Sequence, residues 1–312
     1  MTSESPKTTT PPVHSTDTTG DPKAKSCAVF RPDRQTLPVV LSSPHSGRDY
    51  APEFIATARL EAHDLRRSED SFVEELFAAG PARGALLLCA LFPRAFVDPN
   101  REPYELDPSM FEDALPDYAN TESRRVSSGL GTIARIVSAD AAIYGGKLRF
   151  AEAEQRINDL YRPYHAALEG LISETLDRFG CAILLDCHSM PSVGGPLDMD
   201  RAASRVDFVL GDRHGASCHP LVTASVAKLL GDLGYVVRIN EPYAGGYTTQ
   251  HYGRPGTGVH GLQIEINRAL YMDEIKIERG PGFETIANQM SAVIDVLGAL
   301  DPGILASPAV AE

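Results

Sequence analysis

One stretch decides the fold of this chain: Ala182-Ile183-Leu184-Leu185-Asp186-Cys187-His188-Ser189. Its continuous apolar start is typical of a β-strand covered on both faces, because such a strand needs no alternation of polar and apolar residues. A histidine and a small residue follow at its end, in the crevice beyond the carboxyl ends of the strands where open α/β sheets bind ligands. The stretch therefore predicts a sheet that delivers reactive side chains to one edge.

Two further runs have the same character. Residues 39–47 read Val-Val-Leu-Ser-Ser-Pro-His-Ser-Gly, so that His45 closely follows an apolar run. Residues 262–268 read Leu-Gln-Ile-Glu-Ile-Asn-Arg and carry Glu265 among apolar neighbours. An ionised carboxylate is costly to bury unless a cation is close to it. A bound metal ion would supply that cation.

The rest of the chain alternates strand-like and helix-like segments. Further strands are predicted over residues 85–92, 207–210 and 235–239, and helices over residues 150–179, 220–233 and 283–297. A helix should also begin at Ser68-Glu69-Asp70, and Pro163 should bend the long helix or mark a join. The pattern predicts an α/β fold, a three-layer sandwich with a mostly parallel mixed sheet and helices on both faces.

Composition predicts one folded domain behind a tail. Residues 1–27 contain mainly Thr, Ser, Pro and Lys and are predicted to be a disordered tail, and residues 28–312 to be a single catalytic domain. The segment from residue 102 to 144 is long and irregular, and whether it acts as a lid stays open. No signal peptide and no run of roughly 20 apolar residues is recognisable. The expectation is a soluble, cytoplasmic protein without membrane partners.

Charge and cysteine usage exclude several classes of function. The formal net charge of −13 argues against nucleic-acid binding, which needs a basic face. No GxxxxGK[ST] phosphate loop is present. The 5 cysteines form no CxxC pair, so free thiols are expected and a thiolate zinc site is not.

The two strand-end histidines predict a metal site. Catalytic zinc takes three protein ligands and keeps one position open, so His45 and His188 need a third partner, expected to be a carboxylate. Asp70 and Glu74 lie four residues apart, on one face of a helix, and Asp70 is preferred. Acidic residues are also common in a first helical turn because the helix dipole favours them. Zn²⁺ is the expected ion, and another divalent metal remains open.

Glu265 is the predicted general base. A metal lowers the pKa of water from about 15.7 to about 7, so that a nearby carboxylate can complete its deprotonation. A salt bridge between Glu265 and Arg268 is the alternative. Asp186 either orients His188 or supports the sheet.

Arginines near the proposed strand ends predict a small anionic substrate. Guanidinium groups bind carboxylates in a bidentate manner, and the predicted substrate-binding residues are Arg94, Asn100, Arg101, Arg135 and Arg268. A serine nucleophile at Ser46 or Ser189 is a competing hypothesis, although neither lies in a GxSxG turn. His214, His251 and His260 are also retained as possible site residues.

The chain resembles the N-formylglutamate amidohydrolase family over roughly residues 37–273. The resembling motifs include Ser43-Pro44-His45-Ser46-Gly47, Asp186-Cys187-His188-Ser189 and Gln263-Ile264-Glu265-Ile266-Asn267-Arg268. The resemblance implies a fold similar to that of zinc-dependent exopeptidases and aspartoacylases. It also implies hydrolysis of N-formyl-L-glutamate to formate and L-glutamate, a step of histidine degradation.

One position departs from the related zinc carboxypeptidases. These enzymes have a His-x-x-Glu ligand pair, whereas Arg48 stands three residues after His45 here, and the carboxylate ligand stays open between Asp70 and Glu74. Two alternatives to the main hypothesis remain: hydrolysis of another N-acyl amino acid, and a non-catalytic small-molecule-binding protein of the same fold. A monomer or a small homo-oligomer is expected.

Overall fold

The structure is a computed structural model that describes residues 26–137, 141–195 and 202–306. A central sheet contains seven strands: β1 (Cys27–Phe30), β2 (Val39–Ser43), β3 (Leu86–Ala90), β4 (Ala182–Met190), β5 (Phe208–Gly211), β6 (Val237–Ile239) and β7 (Val259–Asn267). A separate two-stranded hairpin consists of β8 (Met272–Asp273) and β9 (Glu278–Arg279).

Helices connect and cover the strands. They are α1 (Pro52–Thr57), α2 (Ala62–Arg66), α3 (Val73–Leu76), α4 (Arg124–Ser127), α5 (Phe150–Arg156), α6 (Arg162–Phe179), α7 (Pro220–Asp232), α8 (Tyr247–Tyr252), α9 (Phe283–Gly298) and α10 (Pro302–Leu305). A π-helical turn, Ile157–Tyr161, joins α5 to α6. Single 3₁₀ turns are Pro81–Arg83, Pro108–Met110, Pro255–Thr257 and Arg268–Leu270.

The sheet order is β1-β3-β2-β4-β7-β5-β6. Strands β3, β2, β4 and β7 run parallel to one another, whereas β1 pairs antiparallel with β3 and β5 antiparallel with β7. Because β2, β4 and β7 are adjacent and parallel, their carboxyl ends meet at one edge. This edge carries all three runs singled out in the sequence.

Two apolar clusters lie on opposite faces of the sheet. Alternating side chains of β2 divide between them, with Val39 and Leu41 in one cluster and Val40 in the other. The first cluster contains residues of α3, α7 and α9, and the second contains residues of α5 and α6. The predicted mixed α/β fold, with a mostly parallel sheet and helices on both faces, is therefore confirmed.

One predicted helix start is wrong. Asp70 lies in a loop that precedes α3, and Phe72 between them adopts a left-handed conformation with φ 69°. That conformation cannot belong to a right-handed helix, so α3 begins only at Val73. The helix dipole therefore does not explain the acidic residue at position 70.

The other segments follow the predicted pattern with small shifts. The π-helical turn directly precedes α6 and interrupts the long predicted helix. Pro163 occupies the first turn of α6, where its missing N–H is tolerated. Strand β1 was not predicted and begins at Cys27, whereas residues 1–25 of the predicted tail lie outside the described residues. The chain's cysteines are all free thiols, and no described helix is long and apolar enough to cross a membrane.

Candidate metal centre and active site

Three of the predicted residues converge at the carboxyl edge of the sheet. His45 follows β2, His188 belongs to β4, and Asp70 lies in the loop before α3. One ligand atom from each lies within 4.8 Å of the other two. The backbone N–H of Asp70 donates to the carbonyl oxygen of His45 at 3.0 Å, which fixes the loop beside the strand end.

The two histidines have matching orientations. Their Nδ1 atoms lie 3.3 Å (His45) and 3.0 Å (His188) from Oδ2 of Asp70. On the opposite side of each ring, Nε2 of His45 lies 2.7 Å from Oδ1 of Asp98, and Nε2 of His188 lies 3.0 Å from Oδ2 of Asp186. Metal-binding histidines almost always donate their second ring N–H to a carboxylate, carbonyl or water. Both rings are thus oriented as ligands through Nδ1.

The polar atoms between these side chains fit a metal ion. Nδ1 of His45 is buried and has no hydrogen-bond partner among the described residues. A buried polar atom without a partner is costly, and a cation at this point would satisfy it together with Oδ2 of Asp70. Two imidazoles and one carboxylate form a donor set that suits Zn²⁺ and other divalent transition metals. The His45, Asp70 and His188 group could therefore bind a metal.

The other carboxylate candidate has a different partner. Oε1 of Glu74 accepts a hydrogen bond from the guanidinium of Arg48 at 2.9 Å, and Glu74 does not belong to the cluster. Arg48 is the residue that departs from the His-x-x-Glu pattern. The structure thus brings Asp70, rather than Glu74, to the two histidines.

The electrostatics of Asp70 favour its ionised form. Burial raises its pKa, but the neighbouring imidazoles of His188 and His45 outweigh burial and hold the pKa well below its ordinary value. The guanidinium of Arg268 also binds Oδ1 of Asp70 at 3.0 Å. Oδ2 therefore remains directed at the histidines.

Glu265 lies beside this cluster. It occupies β7 directly opposite His188 of β4 and lines the same cavity. Burial raises the pKa of Glu265 to about 7, and the charge of Asp70 adds to this rise while His188 and two arginines oppose it. No described cation forms an ion pair with Glu265, because Arg268 binds Asp70 and Ser189 instead. The alternative of a Glu265–Arg268 salt bridge is not observed.

The cluster opens into a cavity of about 610 Å³ with a strongly cationic lining. Among the described residues, three acidic side chains face it: Asp70, Asp98 and Glu265. The lining arginines include three predicted ones, Arg94, Arg101 and Arg268, and four that the sequence analysis missed, Arg67, Arg124, Arg125 and Arg213. A small anion is the ligand that this excess of positive charge favours.

Several of these arginines also hold the acidic residues in place. Arg94 donates to Oδ2 of Asp98 at 2.8 Å, and the guanidinium of Arg101 lies 3.6 Å from the same oxygen. Burial, together with the neighbouring charge of Arg125, lowers the pKa of Arg101 to about 9 against the attraction of Asp98. Nε of Arg101 donates to the carbonyl oxygen of Leu130 at 2.8 Å and Nη1 to that of Asn100 at 2.9 Å, so Nη2 is the nitrogen left to contact an anion.

Two predicted substrate residues have other environments. Asn100 lines the cavity, but its amide is engaged: Nδ2 donates to Oδ2 of Asp186 at 3.3 Å and Oδ1 accepts from the N–H of Thr248 at 2.8 Å. Arg135 does not line the cavity, and its Nε donates to Oδ2 of Asp107 at 3.0 Å.

The remaining candidates do not join the centre. Nε2 of His260 donates to the carbonyl oxygen of Leu305 at 2.7 Å, and its Nδ1 accepts from the backbone N–H of His219 at 3.1 Å. His251 stacks on Tyr247. His214 lies in an exposed turn with φ 58°. Within the described part of the chain, the hydroxyl of Ser189 accepts from Arg268 and contacts no histidine, so the geometry does not favour a serine nucleophile.

The sequence analysis missed two orienting residues. Asp98 follows β3 in a polar run, and this position at the edge of the sheet was a usable signal. Gln263 precedes Glu265 by two residues on β7 and so lies on the same face. Its Nε2 donates to Oε1 of Glu265 at 2.9 Å.

Comparison with known proteins identifies the family. A sequence profile of N-formylglutamate amidohydrolase matches residues 37–272. The chain belongs to the N-formylglutamate amidohydrolase family. This membership confirms the resemblance found in the motifs, and it confirms the prediction of a hydrolase that acts on a linear amide C–N bond.

Relatives in the N-formylglutamate amidohydrolase family match most of the chain. The N-formylglutamate deformylase of Pseudomonas aeruginosa is 30% identical over 250 residues, covering 77% of this chain and 84% of the relative. The enzyme of the same name from Pseudomonas putida is 28% identical over 240 residues, covering 76% and 83%.

Solved structures agree with the fold. The crystal structure of N-formylglutamate amidohydrolase from Ralstonia eutropha is similar with a TM-score of 0.80 and 36% identity, covering 90% of this chain and 98% of the other. The structure of a gene product from Agrobacterium tumefaciens has a TM-score of 0.63 at 20% identity, covering 87% and 94%. The second likeness concerns the fold alone.

Proposed function

We propose that this protein is a metal-dependent amidohydrolase that converts N-formyl-L-glutamate and water to formate and L-glutamate. The observation that carries the proposal is the convergence of His45, Asp70 and His188 beside Glu265 in a cavity rich in arginine. The names of the two Pseudomonas relatives and of the Ralstonia structure support the substrate.

His45, Asp70 and His188 would hold the metal, with Zn²⁺ as the first choice for this donor set. When bound, a divalent ion supplies Lewis-acid activation of water and of the amide carbonyl. Asp98 would keep the imidazole of His45 in the tautomer that leaves Nδ1 unprotonated, whereas Nε2 of His188 contacts both Asp186 and the amide nitrogen of Asn100.

Glu265 is the proposed general base and acid. It takes a proton from the attacking water and delivers it to the leaving nitrogen of glutamate. Gln263 already donates to Oε1 of this carboxylate, so Oε2 is the oxygen available for the proton. A pKa of about 7, raised mainly by burial, suits a group that must accept and release a proton near neutral pH.

The arginines provide the binding site for the two carboxylates of N-formylglutamate. Arg101 is the main candidate because it lines the cavity and its Nη2 lies 3.6 Å from Asp98, beyond hydrogen-bond distance, while Arg94 and Arg268 bind the acidic residues around the centre. Asn100 contributes by orienting Asp186 and the wall of the cavity. The predicted substrate role of Arg135 is not part of the proposed site, because its guanidinium binds Asp107 and does not line the cavity.

We further propose the zinc-dependent exopeptidase-like fold and the place in histidine degradation that the family resemblance implies, together with the cytoplasmic location expected from the sequence. A single domain over residues 28–312 and a monomer or small homo-oligomer belong to the same proposal.

The test is formate release from N-formyl-L-glutamate before and after chelation. Activity should disappear with the metal and return with added Zn²⁺, and a metal-free preparation with full activity would reject metal dependence. A panel of N-acyl amino acids distinguishes the proposed substrate from other N-acyl compounds. Binding of the panel without turnover would instead favour a non-catalytic binding protein.

A further inference from the structure

We propose that Gln263 is a positioning residue that orients Glu265 and couples it to the glycine loop, residues 244–246. The inference rests on the proposed role of Glu265 as the general base. Two hydrogen bonds carry it: Nε2 of Gln263 donates to Oε1 of Glu265 at 2.9 Å, and the N–H of Gly246 donates to Oε1 of Gln263 at 2.7 Å.

The orientation of this amide is unambiguous. A backbone N–H can only donate, so the atom of Gln263 that faces Gly246 must be the carbonyl oxygen. The NH₂ group consequently points at Glu265. A donor at Oε1 leaves Oε2 as the oxygen that exchanges protons during the proposed reaction.

Gln263 is held in a rigid part of the molecule. It lies in the centre of β7, paired with Asp186 of β4 on one side and Gly211 of β5 on the other, and it is 4% exposed. Gln263 and Glu265 are two residues apart and therefore project from the same face of the strand. The side chain needs little ordering in order to act.

The glycine loop is packed closely against the site. A Cβ atom at Gly246 would lie 2.4 Å from Nδ2 of Asn100, and one at Gly211 would lie 2.6 Å from the backbone nitrogen of Gly245. Gly245 itself has φ +113°, which a side chain would strain. Only a loop without side chains at these positions can approach so closely.

The loop and the first turn of α8, which follows it directly, are thus attached to both halves of the centre. The N–H of Gly246 binds Gln263, which binds Glu265, while the N–H of Thr248 binds Asn100 beside His188 and Asp186. Residues 242–246 also form part of the cavity wall. A displacement of the loop would therefore release the carboxylate of Glu265 from its fixed orientation.

Three variants separate positioning from general structural support. Gln263→Met removes both hydrogen bonds at nearly constant volume. Gln263→Glu keeps an acceptor for Gly246 but replaces the donor to Glu265 by a second carboxylate. Gln250→Met is the matched control, because Gln250 is exposed on the adjacent α8.

The measurements are kcat, KM, bound metal and hydrogen exchange of the peptide covering residues 244–252. Gln263→Met should lower kcat about 10- to 100-fold, the usual effect of losing an orienting partner, with KM and metal content little changed. In this variant the peptide covering residues 244–252 should exchange its amide hydrogens faster. Gln263→Glu should also lose kcat but keep slow exchange at Gly246, and Gln250→Met should match the parent protein.

The combination with Glu265→Gln decides how Gln263 acts. If it acts through Glu265, the double variant Gln263→Met with Glu265→Gln should be no slower than Glu265→Gln alone. Wild-type kcat in Gln263→Met, or multiplicative losses in the double variant, would overturn the inference while leaving the base in place. Full turnover by Glu265→Gln would instead overturn the proposed role of Glu265 as the general base, on which the inference rests.

Discussion

His45 and His188 present the same ring atom, Nδ1, to the same carboxylate oxygen of Asp70. The distances are 3.3 and 3.0 Å, and the two ring centroids lie 4.8 Å apart with planes inclined by 58°. Each ring binds a separate aspartate through Nε2. Because both Nδ1 atoms and Oδ2 of Asp70 face the same point, the three atoms form a set that could hold a metal ion.

Asp70→Asn should abolish metal binding. The substitution preserves shape but removes the charged donor, and it leaves Arg268 facing a neutral amide. We expect bound zinc to fall at least about tenfold when measured by elemental analysis. Glu74→Gln is the matched control and should retain the metal. The reverse result would assign the third ligand to Glu74.

Glu265→Gln should keep the metal and lose turnover. The amide fills the same space but cannot accept a proton, so kcat should fall by about 10²- to 10⁴-fold, the usual contribution of general acid–base catalysis. Formate release and metal content should be measured on the same preparation. Normal turnover with normal metal content would move the base to another residue.

Arg125→Met should weaken binding of the dianionic substrate. Arg125 lines the cavity, and its charge acts on Arg101. Because its side chain is exposed, the loss should be about 1 kcal/mol, seen as an increase of about fivefold in KM for N-formylglutamate. N-formylglutamine, which has one carboxylate fewer, should be affected less.

Arg135→Met is the control for this variant. Arg135 is the predicted substrate residue whose guanidinium binds Asp107 outside the cavity, so its replacement should leave KM unchanged. A larger effect at Arg135 than at Arg125 would show that the segment carrying both residues rearranges when substrate binds.

Titration of His165 should make the free energy of unfolding depend on pH. Burial lowers the pKa of His165 from 6.5 to about 4 in the folded protein. The unfolded chain therefore takes up the proton first, and the contribution of His165 is complete above pH 6.5 and declines as the pH falls toward 4. The free energy of unfolding should fall by on the order of 2 kcal/mol, a value that allows for the partial exposure of the His165 side chain.

Urea unfolding between pH 7 and pH 4.5 measures this effect. His165→Gln removes the titration, and its amide can still donate to the carbonyl oxygen of Pro99, which Nε2 of His165 contacts at 2.8 Å. The variant should therefore lose less stability than the parent protein across this range. Equal slopes for the two proteins would exclude His165 as the source.

The sequence by itself determined the sheet and the approach of three side chains. Apolar runs predict buried strands from local sequence, and adjacent parallel strands end at the same edge of a sheet. The proximity of His45, His188 and Glu265 could therefore be predicted from the sequence. Family membership was likewise readable from the motifs around these residues. Strand β1 was not predicted because the pattern of apolar residues in a short edge strand is too weak.

Only the tertiary structure decided which carboxylate lies beside the two histidines and which arginines line the cavity. Phe72 adopts a left-handed conformation between Asp70 and α3, so that Asp70 contacts His45 while Glu74 binds Arg48. Helical spacing places both carboxylates on one face and therefore cannot predict which of them reaches the histidines. In the same way, Arg135 turns to Asp107 while Arg125, ten residues earlier, lines the cavity. The physical reason is that periodicity reports which face of an element is buried, whereas the partner of a loop side chain depends on the path of distant backbone.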